Sequence, residues 1–312
     1  EKYNESTMTE QSQFGYIEVI DPATVPLKPS SPKVLLIVIL GVVTGLGAGV
    51  IIVLVKERLD VRINSPEDLK REGHTILGSV LHMQEGLGVI GSHPLFALAS
   101  PFSPGAESYR HLRTNLHYTQ RDQPYRSLLV TSAKPRDGKT TVVSNLGVAF
   151  AQTGQSVLLV DADLRKPSLH TSFNSSMEPG LSDYLEGKVS LQSVVQKVSV
   201  ENVYLIAGGS ETLRPAELLG SDRMRQFVAE VREQYGIVII DSSPILVGTD
   251  STILSTLVDG VLMVVSAGTT RFTEFNQSIE ELSDVIKEAP KIILNNLNLH
   301  HAYGLPYGRS GY

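Results

Sequence analysis

Residues 132–141 read Ser-Ala-Lys-Pro-Arg-Asp-Gly-Lys-Thr-Thr, with glycine, lysine and a hydroxyl residue in the order a phosphate-cradling loop requires. Backbone N–H groups around Gly138 can turn inward onto phosphate oxygens. The Lys139 ammonium can reach the outer phosphates, and the Thr140 hydroxyl can face a Mg²⁺ ion. The full pattern G-x-x-x-x-G-K-[ST] is broken at its first position, where Ala133 stands. A small side chain survives there, and Pro135 stiffens the loop. Alone, this stretch could be a coincidence of loop and helix.

Two acid-bearing stretches add weight. Val157-Leu-Leu-Val-Asp161-Ala-Asp163-Leu-Arg165 sets carboxylates two residues apart after an apolar run, with a guanidinium following. Such acids are costly at the end of a buried strand unless they bind a cation, accept hydrogen bonds or meet arginine. Ile237-Val-Ile-Ile-Asp241-Ser242-Ser243-Pro244 is a second apolar run ending in an acid. Each acid alone reads equally well as a helix cap. Together and in this order, the three elements point to a nucleoside triphosphate with Mg²⁺.

The surrounding pattern supplies elements to position them. A helix is predicted over Glu107–Tyr118, a strand over Ser127–Thr131, a helix over Lys139–Thr153 closed by Gly154, and a strand over Val157–Val160. Weaker helices follow at 181–187 and 190–198, then a strand at Val203–Ile206, a helix at Ser221–Gln234 and a strand at Ile237–Ile240. A strand at Gly260–Ser266, a helix near 271–288 and a strand at Lys291–Leu294 complete the series. This alternation is an α/β class: a P-loop NTPase-like parallel sheet with helices on both faces, its ligands at the carboxyl ends of the strands.

Composition narrows the setting. The chain of 312 residues has a formal net charge of −6, which gives nucleic acid no global attraction, and no cysteine, which removes disulfides and thiolate chemistry. Val34–Val55 runs 22 residues without a charge, about 33 Å as a helix and long enough to span a bilayer. Lys56, Arg58, Arg62, Lys70 and Arg71 follow it, so the positive-inside rule puts the C-terminal side in the cytoplasm. Gly41, Gly45 and Gly49 share one face of that helix, which permits close helix approach or reflects the general tolerance of membrane helices for glycine. The chain begins at Glu1 and is read as a fragment or processed product. Residues 1–33 form a Pro-punctuated lead, 56–104 a juxtamembrane link with a helix start at Asn64–Asp68, 105–299 the nucleotide-binding domain, and 300–312 a tail.

The three motifs resemble those of the bacterial tyrosine kinases built on a P-loop fold, over roughly residues 18–312. The resemblance includes Arg214-Pro-Ala-Glu-Leu-Leu and Val258–Val265. The lead and membrane helix resemble the end of a polysaccharide chain-length regulator. The resemblance implies ATP and Mg²⁺ as cofactors, with the loop residues Pro135, Arg136, Asp137, Gly138, Lys139, Thr140 and Thr141 on the nucleotide. Asp161 would be the catalytic base, Thr140, Asp163 and Asp241 would hold the metal, and Arg165 would neutralise the phosphoryl group in flight. Asn295 and Asn296 fall where related folds read adenine, and an Asn pair equally suits a turn. Glu107-x-x-Arg110-x-x-Arg113 resembles a subunit contact, whose alternative is a solvated face with local ion pairs.

Three of the 11 tyrosines, Tyr303, Tyr307 and Tyr312, fall in the last ten residues, a stretch too polar and glycine-rich for a core. The resemblance makes them phosphoacceptors in trans. It also implies a homo-oligomeric ring, an octamer, at the bacterial inner membrane, with a tyrosine phosphatase and polysaccharide polymerisation and export machinery as partners. His300 and His301 lack a third ligand at useful spacing, so no metal is expected there. Two departures stand out. Ser243 occupies a position that is usually proline. Lys134 falls where positioning ATPases carry a signature lysine, which keeps such an ATPase as a rival reading. Ala133 motivates a second rival, a non-enzymatic chain-length scaffold.

Overall fold

The computed structural model describes residues 31–58, 61–82, 95–119 and 124–297. The chain divides into two compact units, residues 1–60 and 61–312. In the first, helix α1 (Val34–Arg58) is apolar all round, and its stretch Val34–Ile52 has a mean hydropathy of 2.8 with none of it buried. By length and composition this helix fits a lipid environment.

The second unit is built on an eight-stranded sheet. Its strands are β1 (Ile76–Leu81), β2 (Ser127–Ser132), β3 (Val157–Asp161), β4 (Gln196–Lys197), β5 (Val203–Ile206), β6 (Ile237–Asp241), β7 (Gly260–Ser266) and β8 (Lys291–Leu297). They lie in the order β1-β8-β7-β2-β6-β3-β5-β4, parallel throughout except where β4 pairs antiparallel with β5. The runs read from sequence are unbroken apolar stretches because both faces are covered. On β2, Leu128 and Val130 face one core, with Leu146, Leu112 and Tyr109, while Leu129 faces the other, with Phe227 and Phe275. The same alternation runs through β3 and β6, so each strand is held from both sides.

The helices of this unit are α2 (Pro66–Arg71), α3 (Phe96–Ala99), α4 (Pro104–Thr119), α5 (Lys139–Ala151), α6 (Leu169–Ser172), α7 (Leu181–Leu185), α8 (Leu191–Val194), α9 (Pro215–Leu219), α10 (Asp222–Gln234), α11 (Asp250–Ser255) and α12 (Phe272–Ser283). Several differ from the sequence expectation. Helix α4 starts at Pro104, three residues early, because Ser103 Oγ accepts the Ala106 N–H and proline suits a first turn. The helix expected at 190–198 is one turn, after which Gln196 and Lys197 pair with Leu205 and Tyr204 at the sheet edge. The surrounding valines favour strand over helix. Helix α12 ends at Ser283, short of 288. Strand β8 runs three residues past Leu294, since Leu81 on β1 pairs with Leu297.

Part of the stretch expected as a link, 56–104, is built into the sheet unit. Helix α2 begins as predicted, with the Asp68 carboxylate accepting the Ser65 and Asn64 N–H groups. Ile63 and Leu69 are fully buried, and β1 forms the parallel edge beside β8. Burial of two such side chains is worth about 1.5–3 kcal/mol each. Leu69→Ala is therefore expected to lower unfolding free energy by about 2–5 kcal/mol in urea denaturation of the whole chain. A segment acting only as a link would leave the transition unmoved.

Candidate nucleotide site

The phosphate loop spans 133–138, between β2 and the first turn of α5. Both Arg136 (φ 69°) and Gly138 (φ 95°) adopt left-handed backbone, which turns successive N–H groups toward one concavity. Gly138 has a second reason to be glycine: a Cβ there would collide with the Asn295 amide. Ala133 is fully buried, so the missing first glycine is replaced by a methyl group that packs in the core. Helix α5 presents its amino end to the loop, favouring negative charge there.

Contacts with Asn295, Thr270, Thr269 and Glu274 outside the loop, and one bond within it, fix its shape. Asn295 Nδ2 donates to the Asp137 carbonyl at 2.9 Å. Thr270 Oγ1 donates to Asp137 Oδ1 at 3.0 Å, and the Lys134 N–H donates to Oδ2 at 3.3 Å. Lys134 Nζ donates to the Thr269 carbonyl at 2.6 Å and pairs with Glu274 at 3.2 Å. Lys134, the residue behind the positioning-ATPase reading, is thus held by its own chain. The loop 267–272 that grips the phosphate loop is itself held by backbone bonds to Val61 and Ile63.

The two acid-bearing strands lie side by side, and Asp161 and Asp241 are direct register partners on β3 and β6. Both are buried. Asp161 Oδ2 accepts the N–H groups of Ser168 and Leu169 at 2.9 Å each, and Oδ1 accepts that of Asp163 at 3.3 Å. Asp241 Oδ2 accepts from Thr140 Oγ1 at 2.6 Å, and Thr140 Oγ1 lies 3.2 Å from Ser168 Oγ. The other oxygen, Asp241 Oδ1, is buried with no partner. Burial, then the Asp241 carboxylate, raises the proton affinity of Asp161 despite its two strong N–H bonds. Burial likewise raises that of Asp241, opposed by Lys139 and the Thr140 hydroxyl. Asp163 is half-buried, raised by burial and lowered by Lys139.

An orphaned carboxylate oxygen beside a threonine hydroxyl fits a hard cation, which lacks partners only while the ion is absent. Among the described residues no group of three or more acids or histidines could cage a metal. Mg²⁺ takes one or two carboxylates and fills its shell with water and phosphate oxygens, a demand that Asp241 and the Thr140 hydroxyl can meet.

The remaining predicted residues divide. Asn295 is buried in β8 and spends an amide donor on the loop; Asn296 has φ 57° inside the strand, so the pair does not form a free-standing turn. A cleft of about 320 Å³ beside them is lined by Tyr109, Arg136, Gly138 and Thr141 among others. Pro135 is exposed at the loop. Arg165 is not free: it makes a bidentate pair with Asp250. On α4, Glu107 and Arg110 pair with one another at 2.7 Å, but Arg113 turns inward and donates to the Ala149 carbonyl of α5. The acceptor candidates Tyr303, Tyr307 and Tyr312, with His300 and His301, lie outside the described residues.

Thr270, Glu274, Ser168 and Asp250 are site residues that motif spacing missed. Thr270 and Glu274 follow β7, the neighbour of β2, so the rule that ligands gather at strand carboxyl ends could have pointed to that loop.

Burial is the main reason Asp137 holds its proton up to about 6, with Thr270 and the Lys134 amide opposing it. Its folded value exceeds the ordinary one of about 3.9, so its contribution to stability is full below that value and lost as pH rises through 6. Asp137→Asn cannot lose a proton. The melting temperature of this variant minus that of the ligand-free wild type is therefore expected to become more positive between pH 4.5 and 7.5. A difference independent of pH would show that Asp137 ionises freely.

Similarity to known proteins agrees with this geometry. Residues 126–299 match the AAA domain family, and residues 1–58 match the G-rich domain found on tyrosine kinases. The chain is 37% identical over 212 residues to tyrosine-protein kinase YwqD of Bacillus subtilis, covering 67% of this chain and 90% of that one. It is 31% identical over 312 residues to tyrosine-protein kinase etk of Escherichia coli, covering 95% of this chain and 43% of that one, so it spans under half of that relative. The solved kinase domain of the Escherichia coli tyrosine kinase ETK superposes with a TM-score of 0.71 at 31% identity, over 79% of this chain and 100% of that domain. The chain belongs to the bacterial P-loop tyrosine-protein kinases, with a co-polymerase-type N-terminal part.

Proposed function

We propose that this chain is an ATP- and Mg²⁺-dependent protein-tyrosine kinase that phosphorylates its own C-terminal cluster, Tyr303, Tyr307 and Tyr312, in trans. The observation that carries this reading is the buried Asp161–Asp241 pair beside Thr140, with one carboxylate oxygen unsatisfied. Lys139 holds the outer phosphates while the loop amides cradle them. Thr140 and Asp241 would hold Mg²⁺, with Asp163; the ion's contribution is to neutralise phosphate charge. Asp161 takes the proton of the attacking tyrosine hydroxyl, and its raised proton affinity suits that task. Phosphoryl transfer asks the protein mainly for positioning and electrostatics.

Burial favours a second division of labour between Asp161, at the end of β3, and Asp163, just after it. Asp161 is fully enclosed and committed to backbone donors, whereas Asp163 is partly open. On this alternative Asp161 and Asp241 form the cation site, and Asp163 meets the hydroxyl. Titrating Mg²⁺ against nucleotide binding in Asp161→Asn and Asp163→Asn separates the two. The variant that needs about tenfold more Mg²⁺ has lost the ligand, and the other should bind normally yet lose transfer.

The reading extends to the setting. The kinase domain faces the cytoplasm of the bacterial inner membrane and assembles into a ring, an octamer by resemblance, in which Glu107, Arg110 and Arg113 contribute to subunit contact. Capsular or exopolysaccharide polymerisation and export is the process it regulates, with a tyrosine phosphatase as counterpart. Phosphates on the tail add charge near an acidic site and loosen the ring. Phosphopeptide mass spectrometry of the tail, with ATP and Mg²⁺, is the test. Wild type is expected to carry phosphotyrosine there, and Lys139→Met at least about a hundredfold less. Equal phosphorylation in both would remove Lys139 from the mechanism. ATP-driven assembly without any phosphotyrosine would favour the positioning ATPase.

A further inference from the structure

Arg165, two residues past Asp163, forms a two-pronged pair with Asp250. Nε donates to Oδ2 at 2.6 Å and Nη2 to Oδ1 at 3.0 Å, a geometry that fixes the guanidinium plane. Asp250, the first residue of α11, is fully buried, while the Arg165 side chain keeps 38% exposure. A buried carboxylate requires its counter-charge, so the arginine is held from the inside. Ser243 Oγ donates to Asp250 Oδ2 at 3.2 Å, and the Ser243 carbonyl in turn accepts from the hydroxyls of Thr131 and Ser251. On the outer side, a Cβ at Gly248 would stand 3.0 Å from Nη2, so the backbone there closes against the guanidinium.

The pair therefore ties the loop after β3 to the start of α11, the first helix after β6, and so joins the segments that follow the two acid-bearing strands. Among the described residues the third guanidinium nitrogen, Nη1, has no acceptor. The Asp250 hydrogen bond first, then the charges of Asp250, Asp163 and Glu217, raise the proton affinity of the guanidinium.

We propose that Asp250 is a positioning residue for phosphoryl transfer: it spends Nε and Nη2 of Arg165 so that Nη1 is presented to the phosphoryl group in transit. The inference rests on the kinase reading above. In the step itself the bond from the γ-phosphorus to the ADP oxygen breaks as a bond to the tyrosine oxygen forms, and the tyrosine proton passes to a site carboxylate. Arg165 and Asp250 exchange no proton and supply only fixed charge. Ser243 gives Asp250 a further donor without altering the pair.

The test is steady-state tail phosphorylation by the full chain, with Mg-ATP affinity and melting temperature measured in parallel. Asp250→Asn is expected to lower kcat about tenfold to a hundredfold while Mg-ATP affinity stays within about twofold. Arg165→Gln should match it, and adding Asp250→Asn to Arg165→Gln should cost nothing further. Where Asp250→Asn fails to fold, Asp250→Glu replaces it: the charge stays, the fork moves by one methylene, and the same loss of kcat is expected at wild-type melting temperature. The proposal is overturned if a folded Asp250 variant keeps wild-type kcat, or if Asp250→Asn costs the Arg165→Gln protein as much as it costs wild type. A wild type that makes no phosphotyrosine overturns the kinase reading and this inference together.

Discussion

Two carboxylates, Asp161 and Asp241, are buried side by side at the carboxyl ends of adjacent parallel strands. Like charges so placed are intolerable unless protons, donors or a cation compensate them. The local structure answers this demand. The turn after β3 aims two N–H groups at Asp161, and Thr140 at the start of α5 aims its hydroxyl at Asp241. One oxygen, Asp241 Oδ1, is left over, and in the proposed function it is where a metal ion would complete the arrangement.

The same economy governs the phosphate loop. A loop in left-handed backbone cannot rely on helix or sheet bonds for its shape, so side chains from β8 and the loop after β7 hold it. Those anchors are themselves anchored, since Val61 and Ile63 bond to the loop after β7. Residues between helix α1 and the first motif thereby belong to the framework of the candidate nucleotide site.

Arg165 shows how geometry revises a reading made from type and position. A guanidinium two residues past an acid pair invites the thought of a free cation near phosphate. In the folded chain two of its three nitrogens are committed to Asp250, 85 residues later. Arg113 is a parallel case. It shares a sequence spacing with Glu107 and Arg110, yet it closes the end of α5 in place of joining their exposed pair.

The parallel-sheet architecture was legible because strands buried on both faces need unbroken apolar runs, and runs such as 157–160 and 237–240 have no other use. The phosphate loop and the acids at strand ends were legible for a related reason: their chemistry depends on residue type at fixed local spacing, and resemblance to a family added the tail tyrosines as candidate acceptors. Strand β1 was not legible, because a short edge strand at 76–81 acquires its meaning only from its partner β8, more than 200 residues away. Nor were the contacts of Asp137, Asn295 and Asp250, because no local spacing encodes a hydrogen bond between distant segments. Sequence alone determined which groups are candidates to meet a nucleotide. Tertiary structure decided how each is held and which remain free, because burial and partner geometry are set by the packing of elements far apart in the chain.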